Sequence, residues 1–248
     1  MESKNLAMEP LSISARTLGA LALEGFCPRC YWISLHIKGK LPYQIPMPGI
    51  FGSIAAYVPK LVHTFFDQEK RLPKWYPEIG KVNSYVPSGE LHWQKFYAVD
   101  AATNIRLRGT PDDVFRLRDR SFHIVDYKTA KATPKQDELL PLYEIQLNVY
   151  AYICVKQKKE YSPVSGLSLI YTEPRTDRSP STHPEVITHE GFSLHFSAKL
   201  APVELQPERI IPGLLRKVRS IYDRESAPKG TPGCEDCDLF ARLLVLTA

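Results

Sequence analysis

Four segments of the chain are predicted to be helical, mostly because their apolar residues lie three and four positions apart. Serines at the start of the first segment and a glycine just after it are typical of helix ends. The predicted helices cover residues 11–23, 50–70, 139–157 and 207–224. In the second helix the predicted buried stripe comprises Ile54, Val58, Leu61, Val62, Phe65 and Phe66.

Runs of β-branched and aromatic residues predict strands in the middle and the second half of the chain. The predicted strands cover residues 96–99, 105–117, 122–129, 166–171 and 192–200. A tight turn at residues 119–121 is predicted to join the second and third strands into a hairpin. Prolines, glycines and small polar residues predict irregular connections over residues 71–90 and 172–190.

The composition is that of an ordinary folded protein. Hydrophobic residues make up 44% and charged residues 24% of the 248 positions, which excludes a mostly disordered chain. We expect residues 1–248 to form a single domain. No long apolar run occurs, and the N-terminus lacks a basic region followed by an apolar one. We therefore expect a cytoplasmic protein that does not span a membrane.

Positive charge is concentrated in a few segments, although the net charge is only +5. Such clusters suit a polyanionic partner, but they are also typical of a solvated surface. Charge alone therefore does not choose between the two. The clustered residues are Arg106, Arg108, Arg116, Arg118 and Arg120, with Lys156, Lys158 and Lys159 at the end of a predicted helix.

Two aspartates and a lysine in the predicted hairpin have the chemistry that a metal site requires. Asp126 and Lys128 are two positions apart in a strand, so their side chains share one face of the sheet. The hairpin can bring Asp112 alongside them. Facing carboxylates repel each other unless a cation lies between them, and hard oxygen ligands favour Mg²⁺ or Mn²⁺. With a lysine to stabilise developing negative charge, these residue types suit phosphodiester hydrolysis.

The alternative role for Asp126 and Lys128 is an ion pair on an exposed strand face. Two features favour a functional site instead. Gly109-x-x-Asp112 supplies a second carboxylate at hairpin distance. The strand is also apolar, so charged side chains within it need a partner or an ion; its apolar residues are Ile124, Val125 and Tyr127.

A polar pair lies on the predicted helix that follows this strand. Gln146 and Tyr150 are four positions apart, on a stripe with Leu142, Val149 and Ile153. A glutamine in that position either bonds the backbone in the core or orients a scissile phosphate or its attacking water. The sequence leaves both roles open.

The ordered motifs resemble those of the PD-(D/E)XK nucleases, in the RecB-like branch that includes AddB-type and CRISPR-associated exonucleases. The resemblance extends from Cys27 to Cys237. It implies an α/β restriction-endonuclease-like core, with a mixed central β-sheet flanked by helices, that hydrolyses DNA with Mg²⁺ or Mn²⁺. It also implies roles for individual residues: Asp112, Asp126 and the Tyr127 carbonyl as metal ligands, Lys128 as catalytic lysine, and Gln146 and Tyr150 as the helix motif.

The chain departs from this family at an early-helix histidine that many members use to complete the metal shell. In those members the histidine shortly follows a glycine, whereas here Gly52 is followed four residues later by Ala56. His63 or Asp67, on a later turn of the same predicted helix, could take its place. His63 is the candidate for the metal shell, although a lone histidine in such a position is more often a packed or surface residue.

Four of the five cysteines form two Cys-x-x-Cys pairs, which in a reducing compartment indicate metal binding rather than disulfides. The family resemblance implies a four-cysteine iron–sulfur cluster, although here the cysteines are arranged two and two. Four thiolates can hold a 4Fe-4S cluster or Zn²⁺, and the spacing does not choose. We expect one site from Cys27, Cys30, Cys234 and Cys237, and a core position for Cys154.

The leading hypothesis is a DNA nuclease that acts on single strands or duplex ends. A second hypothesis is a catalytically inactive nucleic-acid-binding or assembly protein that keeps the fold, and a third is a zinc or iron–sulfur module with structural carboxylates. Repair, recombination and defence complexes are all open as settings. The candidates for DNA backbone contact are Arg106, Arg108, Lys131 and Lys135.

Overall fold

The described part of the chain consists of two β-sheets surrounded by helices. The structure, a computed structural model, describes residues 9–37, 49–130, 138–176 and 186–247. The helices there are α1 (Ala15–Gly19), α2 (Pro28–Ile37), α3 (Gly49–Glu69), α4 (Leu140–Lys156), α5 (Pro207–Tyr222) and α6 (Glu235–Thr247). The strands are β1 (Leu11–Ser14), β2 (Val82–Tyr85), β3 (Tyr97–Asp100), β4 (Ile105–Arg108), β5 (Asp113–Leu117), β6 (Phe122–Thr129), β7 (Val164–Pro174) and β8 (Phe196–Val203).

The larger sheet has the order β2-β5-β6-β7-β8. Its strands are antiparallel to their neighbours except for β6 and β7, which are parallel. Parallel neighbours need a crossover connection, and α4 provides it between these two strands. The sheet is therefore mixed, and β6 lies at its centre.

The smaller sheet has the order β1-β4-β3. In it β1 runs parallel to β4, with Ser14 opposite Arg108, and β3 runs antiparallel to β4. Ile105 and Leu107 of β4 are fully buried in the main core. Strand alternation therefore turns Arg106 and Arg108 to the outer face of this sheet.

Helices cover both faces of the larger sheet, because the alternate residues of its strands fill two separate cores. Ile124 and Leu169 point into the main core, where α4 packs. Val125 and Ile170 point into a second core, which α3 closes with Val58, Val62 and neighbouring residues. The structure thus confirms the predicted α/β fold, a mixed sheet flanked by helices.

Most predicted elements are confirmed within a few residues. The strand predicted over 122–129 has those bounds, and α4 and α5 each differ by two residues or fewer at their ends. β5 and β6 form the predicted hairpin, with Arg120 at a left-handed φ of 73° in its turn. In α3 the stripe buries Val58, Val62 and Phe66, but Leu61 is 42% exposed.

The prediction of a single strand over residues 105–117 is wrong, because two strands in different sheets occupy that range. Residues 109–112 separate β4 from β5. Pro111 has no N–H for a strand ladder. Gly109 packs so tightly on α4 that a Cβ there would lie 2.3 Å from Tyr150 Cε1. The break turns the chain from one sheet to the other.

Three further predictions need correction. Residues 11–14 are a strand, and helix α1 begins only after Ser14, whose hydroxyl accepts a hydrogen bond from the Thr17 N–H at 3.0 Å. The connection over 71–90 contains the short strand β2. The connection over 172–190 begins only after β7 ends, and residues 177–185 of it lie outside the described residues.

Within the described segments, every helix is too short or too polar to cross a lipid bilayer.

Candidate active site and cysteine cluster

The hairpin brings Asp112 and Asp126 together. Asp113 lies opposite Val125 in the antiparallel register, which places Asp112 opposite Asp126. Asp112 Oδ2 accepts a hydrogen bond of 2.8 Å from the Tyr127 N–H. Asp126 and Lys128 share the face of β6 that looks toward α4, as strand alternation requires. The two carboxylates and the ammonium group therefore form one cluster.

Burial and mutual repulsion disfavour the ionised form of these two carboxylates when no cation is bound. Burial and the negative charge of Asp126 raise the pKa of Asp112 to about 7. Burial also raises the pKa of Asp126, while the Lys128 ammonium, in contact with Asp126 Oδ2, opposes that change. Asp126 Oδ2 is buried and accepts no well-formed hydrogen bond in the described structure. These oxygens suit a divalent cation, which would relieve the repulsion.

Helix α4 orients Asp126 from the side. The Gln146 amide donates to Asp126 Oδ1 at 3.0 Å and to the Tyr150 hydroxyl at 2.6 Å. The partner of Gln146 is thus the carboxylate rather than the backbone. Lys128 Nζ also lies 4.2 Å from the centre of the Tyr143 ring, also on α4. All five predicted catalytic residues meet at this one place.

His63 lies on the other side of the larger sheet from the Asp112–Asp126–Lys128 cluster. Its Nε2 is 2.7 Å from Oδ1 of Asp113, a fully buried carboxylate that faces α3 on the opposite side of the sheet from Asp126. Its ring also stacks on Tyr85, with centroids 3.7 Å apart. Tyr85 in turn donates to Asp67 Oδ2 at 2.8 Å. The structure thus contradicts the expectation that His63, or Asp67 in its place, stands beside Asp112 and Asp126.

Asp113 anchors a buried chain of hydrogen bonds that sequence reasoning missed. The Tyr127 hydroxyl donates to Asp113 Oδ2 at 2.9 Å, and the Tyr76 and Tyr127 hydroxyls are 2.8 Å apart. Burial raises the pKa of Asp113, and the hydrogen bond with His63 opposes that change. The available signal was strand alternation, since adjacent aspartates must face opposite sides of a sheet.

Arg16 is a second residue that sequence reasoning missed. It is exposed on α1, and its positive charge opposes the rise that burial causes in the pKa of Asp126. It reaches this position because β1 pairs with β4, so that Arg16 follows closely after the Ser14–Arg108 pair. No local pattern near Arg16 could have indicated that pairing.

The predicted DNA-contact residues are only partly described. Arg106 and Arg108 lie on the outer face of the smaller sheet, at the end of β4 that leads to Asp112. Lys131 and Lys135 lie outside the described residues.

The four paired cysteines meet in one cluster. Their Sγ atoms all lie within 4.8 Å of one another, and none forms a disulfide. Cys30 Sγ is 3.4 Å from Cys237 Sγ and 3.7 Å from Cys234 Sγ, and Cys27 Sγ is 3.5 Å from Cys237 Sγ. The pairs stand at the N-terminal ends of α2 and α6, so the cluster links these two helices, which are far apart in the sequence.

The electrostatics of the cluster suit a thiophilic metal. Burial would raise the pKa of Cys27, but backbone hydrogen bonds from Cys30 and Thr231 and the neighbouring thiols lower it to about 6. Burial and the adjacent thiols raise the pKa of Cys30. A cation that replaces these protons would be held by four thiolates, as in a tetrahedral Zn²⁺ site or a 4Fe-4S cluster. Cys154 is fully buried in α4, the predicted core position.

One of the comparisons with known proteins identifies a family for the chain. None of the curated proteins compared with the chain matches it. The solved structure described as "Crystal structure of SSO0001" is similar over 92% of this chain and 81% of that chain, at 12% identity and a TM-score of 0.42, too low to support any inference. The model of the PD-(D/E)XK nuclease superfamily matches residues 55–242, which include both aspartates and the lysine. The chain therefore belongs to the PD-(D/E)XK nuclease superfamily.

Proposed function

We propose that the protein is a divalent-metal-dependent DNA nuclease that hydrolyses phosphodiester bonds at ends or in single strands. The observation that carries this proposal is the cluster of Asp112, buried Asp126 and Lys128, with carboxylates that repel each other until a cation joins them. The order of motifs also favours the RecB-like branch of the superfamily. Repair, recombination or defence complexes would be its setting.

In this proposal Asp112, Asp126 and the Tyr127 carbonyl hold Mg²⁺ or Mn²⁺. When bound, such an ion polarises a phosphoryl oxygen and lowers the pKa of a coordinated water. Tyr127 contributes twice, because its N–H holds the Asp112 carboxylate at 2.8 Å while its side chain is fixed on the other face of the sheet. The ligand set is thus positioned before substrate arrives.

The remaining residues of the site orient the Asp126 carboxylate or neutralise negative charge on the phosphate. Lys128 places a positive charge beside Asp126, where it would stabilise the negative charge that develops on the phosphate oxygens during attack by water. Gln146 holds Asp126 Oδ1 and takes part of its orientation from the Tyr150 hydroxyl. These two α4 residues therefore position a ligand rather than contact the reacting phosphate. Arg106, Arg108, Lys131 and Lys135 are proposed to contact the DNA backbone.

The cysteine cluster is proposed to hold a 4Fe-4S cluster or, alternatively, Zn²⁺. The closeness of four unpaired thiols supports a metal, and the lowered pKa of Cys27 favours its thiolate. The site would fasten α2 to α6 and so close the fold.

A second candidate function is a nucleic-acid-binding protein that keeps the fold without turnover. The position of His63 favours it, since the histidine bonds Asp113 and leaves the metal site with one imidazole fewer than many relatives have. Binding would then depend on the basic residues alone.

A nuclease assay separates the two functions. Labelled single-stranded and duplex DNA are incubated with Mg²⁺, Mn²⁺ or chelator, and cleavage is followed on a gel. We expect wild type to cut with either ion, and Asp126→Asn and Lys128→Met to lose roughly a hundred-fold or more in rate while folding normally. Glu69→Gln, a surface change on α3, is the matched control and should cut like wild type. Wild type that binds DNA but never cuts it would favour the second function.

A further inference from the structure

The outer face of the smaller sheet carries two half-buried arginines. Arg106 and Arg108 point away from the core, beside Ser12 and Ser14 of β1, whose side chains are short. Within the described residues neither arginine pairs with a carboxylate, and the Nε atoms of both are buried without a hydrogen-bond partner. Two adjacent positive charges on the outer face of a sheet fit an anionic chain.

Aromatic side chains support both guanidinium groups. Arg106 Cζ lies 3.8 Å from the centre of the Tyr97 ring, and Arg108 Cζ lies 4.9 Å from that of Trp93. Trp93 is 40% exposed, and Val99, opposite Arg106, is 43% exposed. Guanidinium planes held in this way offer their outer surface for stacking by a nucleobase. The face therefore combines charge with flat stacking surfaces.

This face leads directly to the carboxylates. Arg108 precedes Asp112 by four residues, so their Cα atoms are at most about 14 Å apart. β1 runs parallel to β4 and ends beside Arg108, which brings Arg16 within electrostatic reach of Asp126. Arg106 and Arg108 thus lie on the strand that leads to Asp112, and Arg16 follows two residues after Ser14, the partner of Arg108.

We infer that this arginine–aromatic face, defined by Arg106, Arg108, Tyr97 and Trp93, binds single-stranded DNA and leads it to the active site. The inference rests on the proposed nuclease function for what the strand is led to. Arginines hold the phosphates, and unpaired bases stack on the guanidinium and aromatic planes. The phosphates of a duplex could pair with the arginines, but its bases are stacked inside the double helix and could not stack on these side chains.

The test measures binding without cleavage. All variants are made in the Lys128→Ala background and assayed without added divalent cation. Fluorescence anisotropy follows a labelled oligothymidylate of about fifteen nucleotides, near the upper site size of single-strand binders, and a duplex of equal length. The salt concentration is varied between about 50 and 200 mM, where phosphate contacts dominate the change in affinity. Failure of catalysis leaves this measurement unaffected.

Arg106→Gln/Arg108→Gln is expected to weaken binding of the single strand roughly ten-fold or more, and to reduce the slope of log affinity against log salt by about 1.4, or about 0.7 per lost phosphate contact. Trp93→Ala should weaken it about five-fold or more through lost stacking, with little change in that slope. The control Arg116→Gln/Arg118→Gln removes the same charge from exposed positions on β5 and just after it and should bind like the background protein.

Three outcomes would overturn the inference. One is unchanged single-strand binding by Arg106→Gln/Arg108→Gln. Another is an equal loss in the Arg116→Gln/Arg118→Gln control, which would make the effect one of bulk charge. The third is equal affinity for duplex and single strand, with equal losses in the variants, since the stacking surfaces would then have no role.

Discussion

The adjacent residues Asp112 and Asp113 point to opposite faces of the larger sheet. Asp112 faces Asp126 and accepts the Tyr127 N–H, whereas Asp113 faces α3 and accepts the Tyr127 hydroxyl. The same residue of β6 is thus held from both sides. Because Tyr127 also supplies a proposed ligand carbonyl, the Asp113 side of the sheet fixes the geometry of the other side.

Removal of the Asp113 carboxylate should be costly. Asp113→Ala leaves the buried Tyr127 hydroxyl and the His63 imidazole without their acceptor. We expect the free energy of unfolding to fall by about 2–4 kcal/mol, as for other broken buried polar networks. Urea denaturation followed by circular dichroism measures this change.

The control for Asp113 is Asp67→Ala. Asp67 also accepts a tyrosine hydroxyl, but at the exposed surface of α3. Its loss should cost less than about 1 kcal/mol, because water replaces the missing partner. Equal losses in the two variants would contradict the special role of the buried network.

At the level of elements, the connection between β4 and β5 determines the site. It ends one sheet, begins the other and places Asp112 at the turn. Its Gly109 lies against Tyr150, which is 3% exposed and bonds Gln146. The absence of a side chain at Gly109 thus lets α4 approach closely enough to reach Asp126.

Gly109→Ala should disturb both stability and activity. The added methyl group would meet the Tyr150 ring at 2.3 Å, so the ring or the backbone must move. We expect the protein to lose about 1–3 kcal/mol of stability, as in overpacked cores, and cleavage to slow because Gln146 loses its alignment with Asp126. Denaturation and single-turnover cleavage measure the two effects.

Gly213→Ala provides the matched comparison. Gly213 lies inside α5 with no atom near its would-be Cβ. Alanine there should stabilise the protein by up to about 1 kcal/mol through helix propensity, and leave cleavage unchanged. If Gly109→Ala behaved like Gly213→Ala, the close packing of α4 on the connection would not matter for function.

At the level of the whole molecule, the cysteine cluster joins segments from opposite ends of the described chain. α2 and α6 meet through their cysteines, and α6 otherwise exposes large apolar residues such as Leu239 and Leu246. The cluster therefore joins α6 to α2 at the start of both helices.

Cys234→Ser is expected to lower both metal content and thermal stability. A three-thiolate site binds metal less tightly, and metal-binding free energy is also folding free energy. Each kcal/mol lost should lower Tm by about 2–4 °C in a protein of this size. Elemental analysis and visible absorbance of anaerobically purified protein measure the metal and distinguish iron–sulfur from zinc.

Cys154→Ala is the control for cysteine loss. Cys154 is buried in α4 and takes no part in the cluster. The variant should keep its full metal content even if core packing weakens slightly. Full metal content in Cys234→Ser, or no metal in wild type, would contradict the proposed site.

The sequence by itself determined the features that depend on local periodicity. A period of two residues placed Asp126 and Lys128 on one face of β6, and the turn at 119–121 set the hairpin that brings Asp112 opposite. Helical spacing likewise put Gln146 and Tyr150 on one side of α4. These relations hold within one element or between neighbours in the chain, where backbone geometry leaves few alternatives.

Only the tertiary structure decided which distant elements meet. The pairing of β1 with β4 placed Arg16 close enough to Asp126 to affect its pKa, and the packing of α3 placed His63 against Asp113 instead of beside Asp112 and Asp126. Pro111 already disfavours one continuous strand, but only the structure showed that β4 and β5 lie in different sheets and that Gly109 packs on Tyr150. Such contacts depend on the choice among many sheet and helix partners, and local periodicity fixes which face a residue occupies but not what that face will touch.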